Sequence, residues 1–244
     1  QVMVDQIEQL YAAVLETARG GILREGLAFD HCDVAVITNV GSGDHLGLNY
    51  ITTVDELAVL KRVIVMNVGT QGTAVLNAAD PIVAAMAAKC KGKVIFFAQD
   101  KHNAIIATHR AKGQAVVFTE GGHLIAAKGD MVHAIPLADI PVTMNGSIGF
   151  QVENVLASVA AAWALDVSWA GIRTALGSFS NDSDNAQGRF NLFNYRGATV
   201  IADYGHNPDA MIALVRAVQQ MPATRRSVVI SGAGDRRDQD IRQQ

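Results

Sequence analysis

Three stretches of this chain place reactive side chains directly after apolar runs. Glu16 follows residues 12–15 and precedes Thr17-Ala-Arg-Gly-Gly; Asp44-His45 follows residues 34–38 across Asn39-Val-Gly-Ser-Gly; Asn77-Ala-Ala-Asp80-Pro81 follows residues 73–76. Open α/β sheets bind ligands beyond the carboxyl ends of their strands, which is where these residues would stand. A carboxylate there suits Mg²⁺, a hard cation that takes oxygen ligands and shares its shell with water and phosphate. Glu16 is such a carboxylate, the alternative being a solvated or Arg-paired glutamate. His45 beside Asp44 offers a second ligand, against the alternative of an ordinary loop histidine. Asn77 has the paired donor and acceptor needed to read an adenine edge. A turn and helix cap would equally explain Asp80 and Pro81, and part of Asn77.

Lys61 raises a different chemistry. It lies four residues beyond Leu57 at the border of an apolar helix face, where a lysine ordinarily snorkels to water. If buried, its amine loses basicity and becomes nucleophilic enough to add carbon dioxide, forming a carbamate that can serve as a ligand. Near the end of the chain, Gly188-Arg189-Phe190 and Asp203-Tyr-Gly-His206-Asn207-Pro-Asp209 again cluster charge and hydrogen-bonding groups beside apolar runs. Either could be a turn.

The elements that must position these groups follow from periodicity. Residues 12–15, 34–38, 73–76 and 94–97 are short apolar runs bounded by turn signals, with helical stretches between them. The pattern predicts a mostly parallel sheet with both faces covered. Thr53-Val-Asp-Glu56 is a capping-box pattern opening a helix through about residue 65. Asp80-Pro81 supplies an N-cap and a proline at the first helical position for residues 82–89. From residue 114 to 137 the rhythm shortens: apolar runs 115–118, 123–126 and 131–135, separated by Glu120-Gly-Gly and Lys128-Gly-Asp, predict a small antiparallel meander. Helices are expected at 151–165 and, after Ser168 as N-cap, at 169–176. Beyond the polar stretch 178–187, runs 191–194 and 199–202 flank an Arg196-Gly197 turn. A helix over 208–221 and a strand over 228–231 follow. The chain divides near Gly188, into 1–188 and 189–244.

The sequence has 244 residues, 50% hydrophobic, 18% charged and 6% aromatic, which describes a chain able to pack a core and excludes intrinsic disorder. A formal charge of -3 argues against a nucleic-acid or anionic-membrane binder and leaves small molecules as the expected partners. The most apolar helical stretch, residues 155–165, falls well short of the roughly 20 residues that cross a bilayer. Cys32 and Cys90 form no CxxC pair, which suits a reducing cytoplasmic compartment. The sequence does not begin with Met and ends just after a loop following an expected strand, so it is expected to be a piece of a longer protein.

Taken in order, these clusters resemble the Mur ligase superfamily, ATP-dependent amide-forming enzymes that include peptidoglycan precursor ligases and folylpolyglutamate synthetases. Within it, Leu15-Glu-Thr-Ala-Arg-Gly-Gly-Ile-Leu-Arg-Glu-Gly26 with Asp44-His-Leu-Gly-Leu48 is similar to the carboxyl-terminal ligase region of the cyanophycin synthetases. The resemblance runs from residue 12 to the end. It implies an α/β fold: a central ATP-binding domain with the mostly parallel sheet and meander, then the start of a Rossmann-like carboxyl-terminal domain. It implies ATP and Mg²⁺, with Glu16 and His45 as metal ligands, Lys61 as the carbamylated lysine and Asn77 as an adenine contact. Arg189 would act on the nucleotide phosphates, while Asp203, His206 and Asn207 would bind nucleotide from the second domain. The partners implied are arginine and cyanophycin, an aspartate-arginine polymer, with a homo-oligomeric complete enzyme. Asn154 matches the last asparagine of a Gly-x-x-Asn-x-x-Asn segment from which Phe150 and Gln151 depart, and it is left out of the site. No Gly-x-x-Gly-Lys-Ser/Thr phosphate loop occurs in the 244 residues, so this stretch is expected to be inactive alone. Two alternatives stay open: another Mur-type ligase acting on a peptidoglycan precursor or folate, or a non-catalytic nucleotide-binding or assembly module.

Overall fold

A computed structural model describes residues 12–43, 46–47, 50–182, 186–231 and 241–242. The chain separates into two units, residues 1–30 and 31–244. In the first, helix α1 (Arg19–Glu25) ends at Gly26, and residues 12–18 form no regular structure. The strand expected at 12–15 is therefore absent, and Val14 is 95% exposed. An apolar run becomes a strand only when a neighbour takes its N–H and C=O groups; neither sheet includes residues 12–18.

The second unit carries, in order, β1 (Cys32–Ile37), α2 (Val54–Met66), β2 (Val68–Asn77), α3 (Pro81–Ala85) with a 3₁₀ turn (Met86–Lys89), and β3 (Lys93–Asp100). Next come α4 (Ala104–Ala111), β4 (Val116–Glu120), β5 (His123–Lys128), β6 (Met131–Pro136), α5 (Gly149–Ala164) and α6 (Trp169–Ser178). The hairpin strands β7 (Asn191–Tyr195) and β8 (Ala198–Ala202) and helix α7 (Pro208–Gln220) end the series. Strands β1 to β6 form one sheet in chain order. β1 to β4 are parallel, whereas β4–β5 and β5–β6 pair antiparallel, so the meander extends the main sheet rather than standing beside it. β7 and β8 form a separate antiparallel ribbon.

Alternation along the strands makes two cores. Ala74, Leu76, Phe96, Ala98, Val116 and Phe118 face the layer of Leu57, Val65, Val83, Met86 and Ile106 from the crossover helices. Val75, Ile95, Phe97 and Val117 face α5 and α6 through Val152, Val155, Leu156, Val159 and Ile172. Each run is bounded by the caps its sequence supplies. Thr53 and Glu56 exchange hydrogen bonds as a capping box, Asp80 caps α3 and Ser168 caps α6. Helix α4 was not expected, although Asn103 caps it by accepting from Ile105 N and Ile106 N.

A third, smaller cluster packs Ala217, Leu214 and Val218 of α7 and Ile201 of β8 against Phe190, Ile148 and Phe150. The strand expected at 228–231 is not formed: its residues lie outside both sheets, with Val229 98% exposed. Among the described residues no helix is long and apolar enough to cross a membrane.

Candidate functional site

The carboxyl ends of β1, β2 and β3 carry a connected set of polar side chains. Asp80, just beyond β2, accepts hydrogen bonds through one carboxylate oxygen from Val40 N (2.7 Å) and Gly41 N (3.1 Å) in the loop after β1. Its other oxygen accepts from Ile82 N (2.9 Å) and Val83 N (3.2 Å) at the start of α3. Partial burial pushes this carboxyl upward, but the four backbone donors outweigh it and hold Asp80 below its ordinary value. A residue read as a local cap thus also ties the β1 loop to β2.

Lys61 stands on α2 beside this staple. Its ammonium donates to Asn39 O at 3.0 Å. Burial lowers its pKa, and nearby Asp80 opposes the shift without cancelling it. The side chain is half-buried rather than extended into water.

Asn77, at the end of β2, is 2% exposed. Its Nδ2 donates to Glu153 Oε1 on α5 at 2.8 Å, and its Oδ1 accepts from Ala79 N at 2.8 Å. Both ends of the carboxamide are engaged inward. Burial raises the pKa of Glu153, hydrogen bonds from Gln99 and Asn77 partly offset that rise, and Asp80 adds to it. Glu153 and Gln99 were missed in the sequence because their partners lie far away in the chain and no local pattern announces them. Asn154, next to Glu153, is exposed and bonds to Gln151 at 3.2 Å.

The carboxyl-terminal candidates gather in a second cluster. Asp203 accepts from Phe190 N (2.9 Å) and Gly205 N (2.6 Å), while Tyr204 N donates to Gly188 O (2.8 Å). These bonds clamp residues 188–190 against residues 203–205. Arg189 is exposed, with its guanidinium 5.8 Å from the centre of the Tyr204 ring. His206 stacks at a tilt on Tyr204, ring centres 4.8 Å apart, and Asn207 caps α7 by accepting from Ala210 N at 2.8 Å. An exposed guanidinium beside the start of a capped helix has the chemistry to hold phosphate.

One contact joins the clusters. Asp209 Oδ2, in the first turn of α7, accepts from Ser42 N (2.9 Å) and Ser42 Oγ (2.8 Å) in the β1 loop.

Of the metal-ligand candidates, Glu16 belongs to the first unit, and His45 lies outside the described residues. Among the described residues no group of three or more His, Cys, Asp or Glu side chains could hold a metal ion. Asp80, engaged by four amides, is not disposed to be a ligand. As the ammonium that donates to Asn39 O, Lys61 would repel a divalent cation; as a carbamate it would present oxygens.

The comparisons agree with this architecture. Residues 2–162 match the Mur ligase middle domain and residues 188–244 the Mur ligase glutamate ligase domain. The chain belongs to the Mur ligase family. It is 44% identical over 231 residues to the cyanophycin synthetase of Geminocystis herdmanii, covering 94% of this chain and 26% of that protein. To the cyanophycin synthetase of a Nostoc species it is 43% identical over 230 residues, covering 94% and 25%. The chain thus spans about a quarter of the length of these relatives. A diaminopimelate-adding UDP-N-acetylmuramoyl-dipeptide ligase of Listeria innocua is 28% identical over 226 residues, 92% of this chain and 43% of that protein. Among solved structures, MurF from Acinetobacter baumannii superposes with a TM-score of 0.56 at 24% identity, over 78% of this chain and 38% of that one. MurF ligase from Thermotoga maritima, solved in complex with ADP, gives 0.51 at 22% identity, over 79% and 40%. These likenesses establish the fold.

Proposed function

We propose that this chain is the ligase region of an ATP-dependent enzyme of cyanophycin synthesis, which joins arginine to aspartate side-chain carboxylates. The observation carrying the reading is that Asn77 and Asp80 stand at the carboxyl edge of a parallel sheet, with Lys61 beside them, in a chain 43–44% identical to cyanophycin synthetases. The lower identity to the diaminopimelate-adding ligase favours arginine chemistry over peptidoglycan synthesis.

In this reading a carboxylate oxygen attacks the γ-phosphorus of ATP, the bond to the β–γ bridging oxygen breaks, ADP leaves with its electrons, and the carboxylate becomes an acyl phosphate. The amine of arginine attacks the acyl carbon, the C–N bond forms, and phosphate leaves with the C–O bond electrons. Arg189, exposed beside the Asp203–Asn207 turn, holds the phosphates; His206 and Asn207 border the nucleotide, and Asp203 keeps that turn folded against residues 188–190. Asn77 is the adenine contact of this reading, beyond its bonds to Glu153 and Ala79. Lys61, carbamylated, would offer oxygens to Mg²⁺, the ligand role that the family resemblance also implies for Glu16 and for His45. When bound, the cation would offset charge on the transferring phosphoryl group.

The test uses the full-length gene product with ATP, Mg²⁺ and cyanophycin primer. Phosphate release should depend on arginine and on the primer, with arginine incorporated into polymer. Release driven by diaminopimelate and a UDP-linked precursor instead would establish the other ligase. Nucleotide binding with no acceptor-dependent turnover would establish a binding module. The 244 residues alone, which contain no phosphate-loop motif, should stay at background.

A further inference from the structure

The loop after β1 is held from two sides by carboxylates of distant origin. Asp80 takes the amides of Val40 and Gly41, and Asp209 takes the amide and hydroxyl of Ser42. Ser42 lies three residues before His45. Asp209 lies two residues beyond Asn207 and three beyond His206. The Ser42–Asp209 contact therefore brings the chain leading into one candidate group beside the helix leading out of another, although 167 residues separate them.

The loop is shaped for this neighbour. Gly41 adopts φ +57°, and a Cβ built on it would sit 2.5 Å from Asp209 Oδ2, so the carboxylate would have to move aside. A first-turn acid such as Asp209 already suits the positive end of α7, but that local role needs no partner on another loop. α7 is otherwise anchored through its later residues, Leu214, Ala217 and Val218, in the small apolar cluster with Ile148 and Phe190. Ahead of the helix, Asp203 and Tyr204 tie the turn to residues 188–190, and the Ser42–Asp209 contact ties the first turn of the helix to the β1 loop.

We propose that Ser42 and Asp209 form a clasp that sets the carboxyl-terminal nucleotide turn against the β1 loop, making both positioning residues of the ligase. This inference rests on the ligase reading above. Neither side chain need touch substrate; the clasp fixes the relative placement of groups that do, and small misplacements of such groups cost large factors in rate.

The test compares Ser42→Ala, Asp209→Ala and the double variant in the full-length protein. Each single variant should lower kcat about tenfold with little change in unfolding temperature, and the double should be no worse than the poorer single, because both remove one contact. Asp209→Asn, which keeps an acceptor oxygen, should recover part of the rate. Gly41→Ala should act in the same direction by pushing Asp209 away. Amide hydrogen exchange at Ser42 reads the contact independently of turnover: it should quicken in Asp209→Ala. Multiplicative losses in the double variant, unchanged exchange at Ser42, or unaltered kcat in both singles would overturn the clasp. A wild-type protein that shows no arginine-dependent turnover, yet whose Ser42 exchange depends on Asp209, would instead overturn the ligase reading and leave the contact standing.

Discussion

The two polar clusters achieve opposite ends with similar residue types. Around Lys61 the groups are partly or wholly buried: Asn77 is 2% exposed, and Asp80 is saturated by four backbone amides. Around Arg189 the guanidinium is exposed and lies over Tyr204, itself 65% exposed. In the first cluster burial disfavours charge on Lys61 and Glu153, while four backbone amides favour it on Asp80. Exposure suits the second to the phosphate-holding role proposed for Arg189, whose guanidinium is open to an anion. The difference follows from the scaffold. The first cluster lies at the edge of a six-stranded sheet covered on both faces, the second on a two-stranded ribbon and one helix.

The sharpest way to break the comparison is Lys61→Ala in the full-length enzyme. If the amine is carried as a carbamate, its loss should lower kcat by about 10²–10³, the scale of removing one preorganised electrostatic group. Short carboxylates should restore part of the rate by occupying the vacated space. Lys61→Arg should not be rescued, since it fills that space with a fixed cation. Full activity in either variant would make Lys61 an ordinary snorkelling residue and remove the charge-setting role of the first cluster.

Asp80→Ala probes the scaffold beneath that role. It removes an N-cap and two donors' partner in the β1 loop, a loss of about 2 kcal/mol. In a domain of this size that corresponds to roughly 4–8 °C in unfolding temperature. A shift of less than a degree would mean that solvent satisfies these amides equally well. Arg189→Ala should be milder and of another kind: an increase in KM for ATP of about tenfold, as expected for one charge-assisted hydrogen bond at an exposed site. If kcat fell while KM held, Arg189 would belong to the reacting centre, and the contrast between the two clusters would collapse.

What the sequence disclosed tracks how local each signal is. The capping box at Thr53, the Asp80-Pro81 cap and the apolar runs of β2 to β5 are written in neighbouring residues, and the structure contains them. Residues 12–15 and 228–230 have the same apolar composition as Thr73 to Leu76, but strand formation also needs a hydrogen-bonding neighbour, which composition does not encode. Helix α4 did leave a local signal, Asn103 ahead of Ile105 and Ile106. At the site, the placement of Lys61 on the border of an apolar face was legible and its half-burial agrees with it. The Asn77–Glu153 and Ser42–Asp209 contacts were not, because their partners are 76 and 167 residues apart.

The smallest effect tests whether burial sets charge at Glu153 as it does at Lys61. Burial raises its carboxyl above the ordinary value of 4.5, with Asp80 reinforcing the rise and Gln99 and Asn77 opposing it. A raised folded pKa means that the protonated side chain suits the native state. The favourable contribution is complete below pH 4.5 and is lost as pH climbs through the folded value. Glu153→Gln keeps an oxygen to accept from Asn77 Nδ2 but cannot ionise. Its unfolding free energy should match the wild type near pH 4 and exceed it at pH 8, by less than about 1 kcal/mol, the worth of one hydrogen-bonded group in a partly solvated place. Denaturant midpoints at the two pH values measure the difference directly. A variant destabilised equally at both would show that Glu153 acts only through its hydrogen-bond geometry, and the charge-setting character of the first cluster would then rest on Lys61 alone.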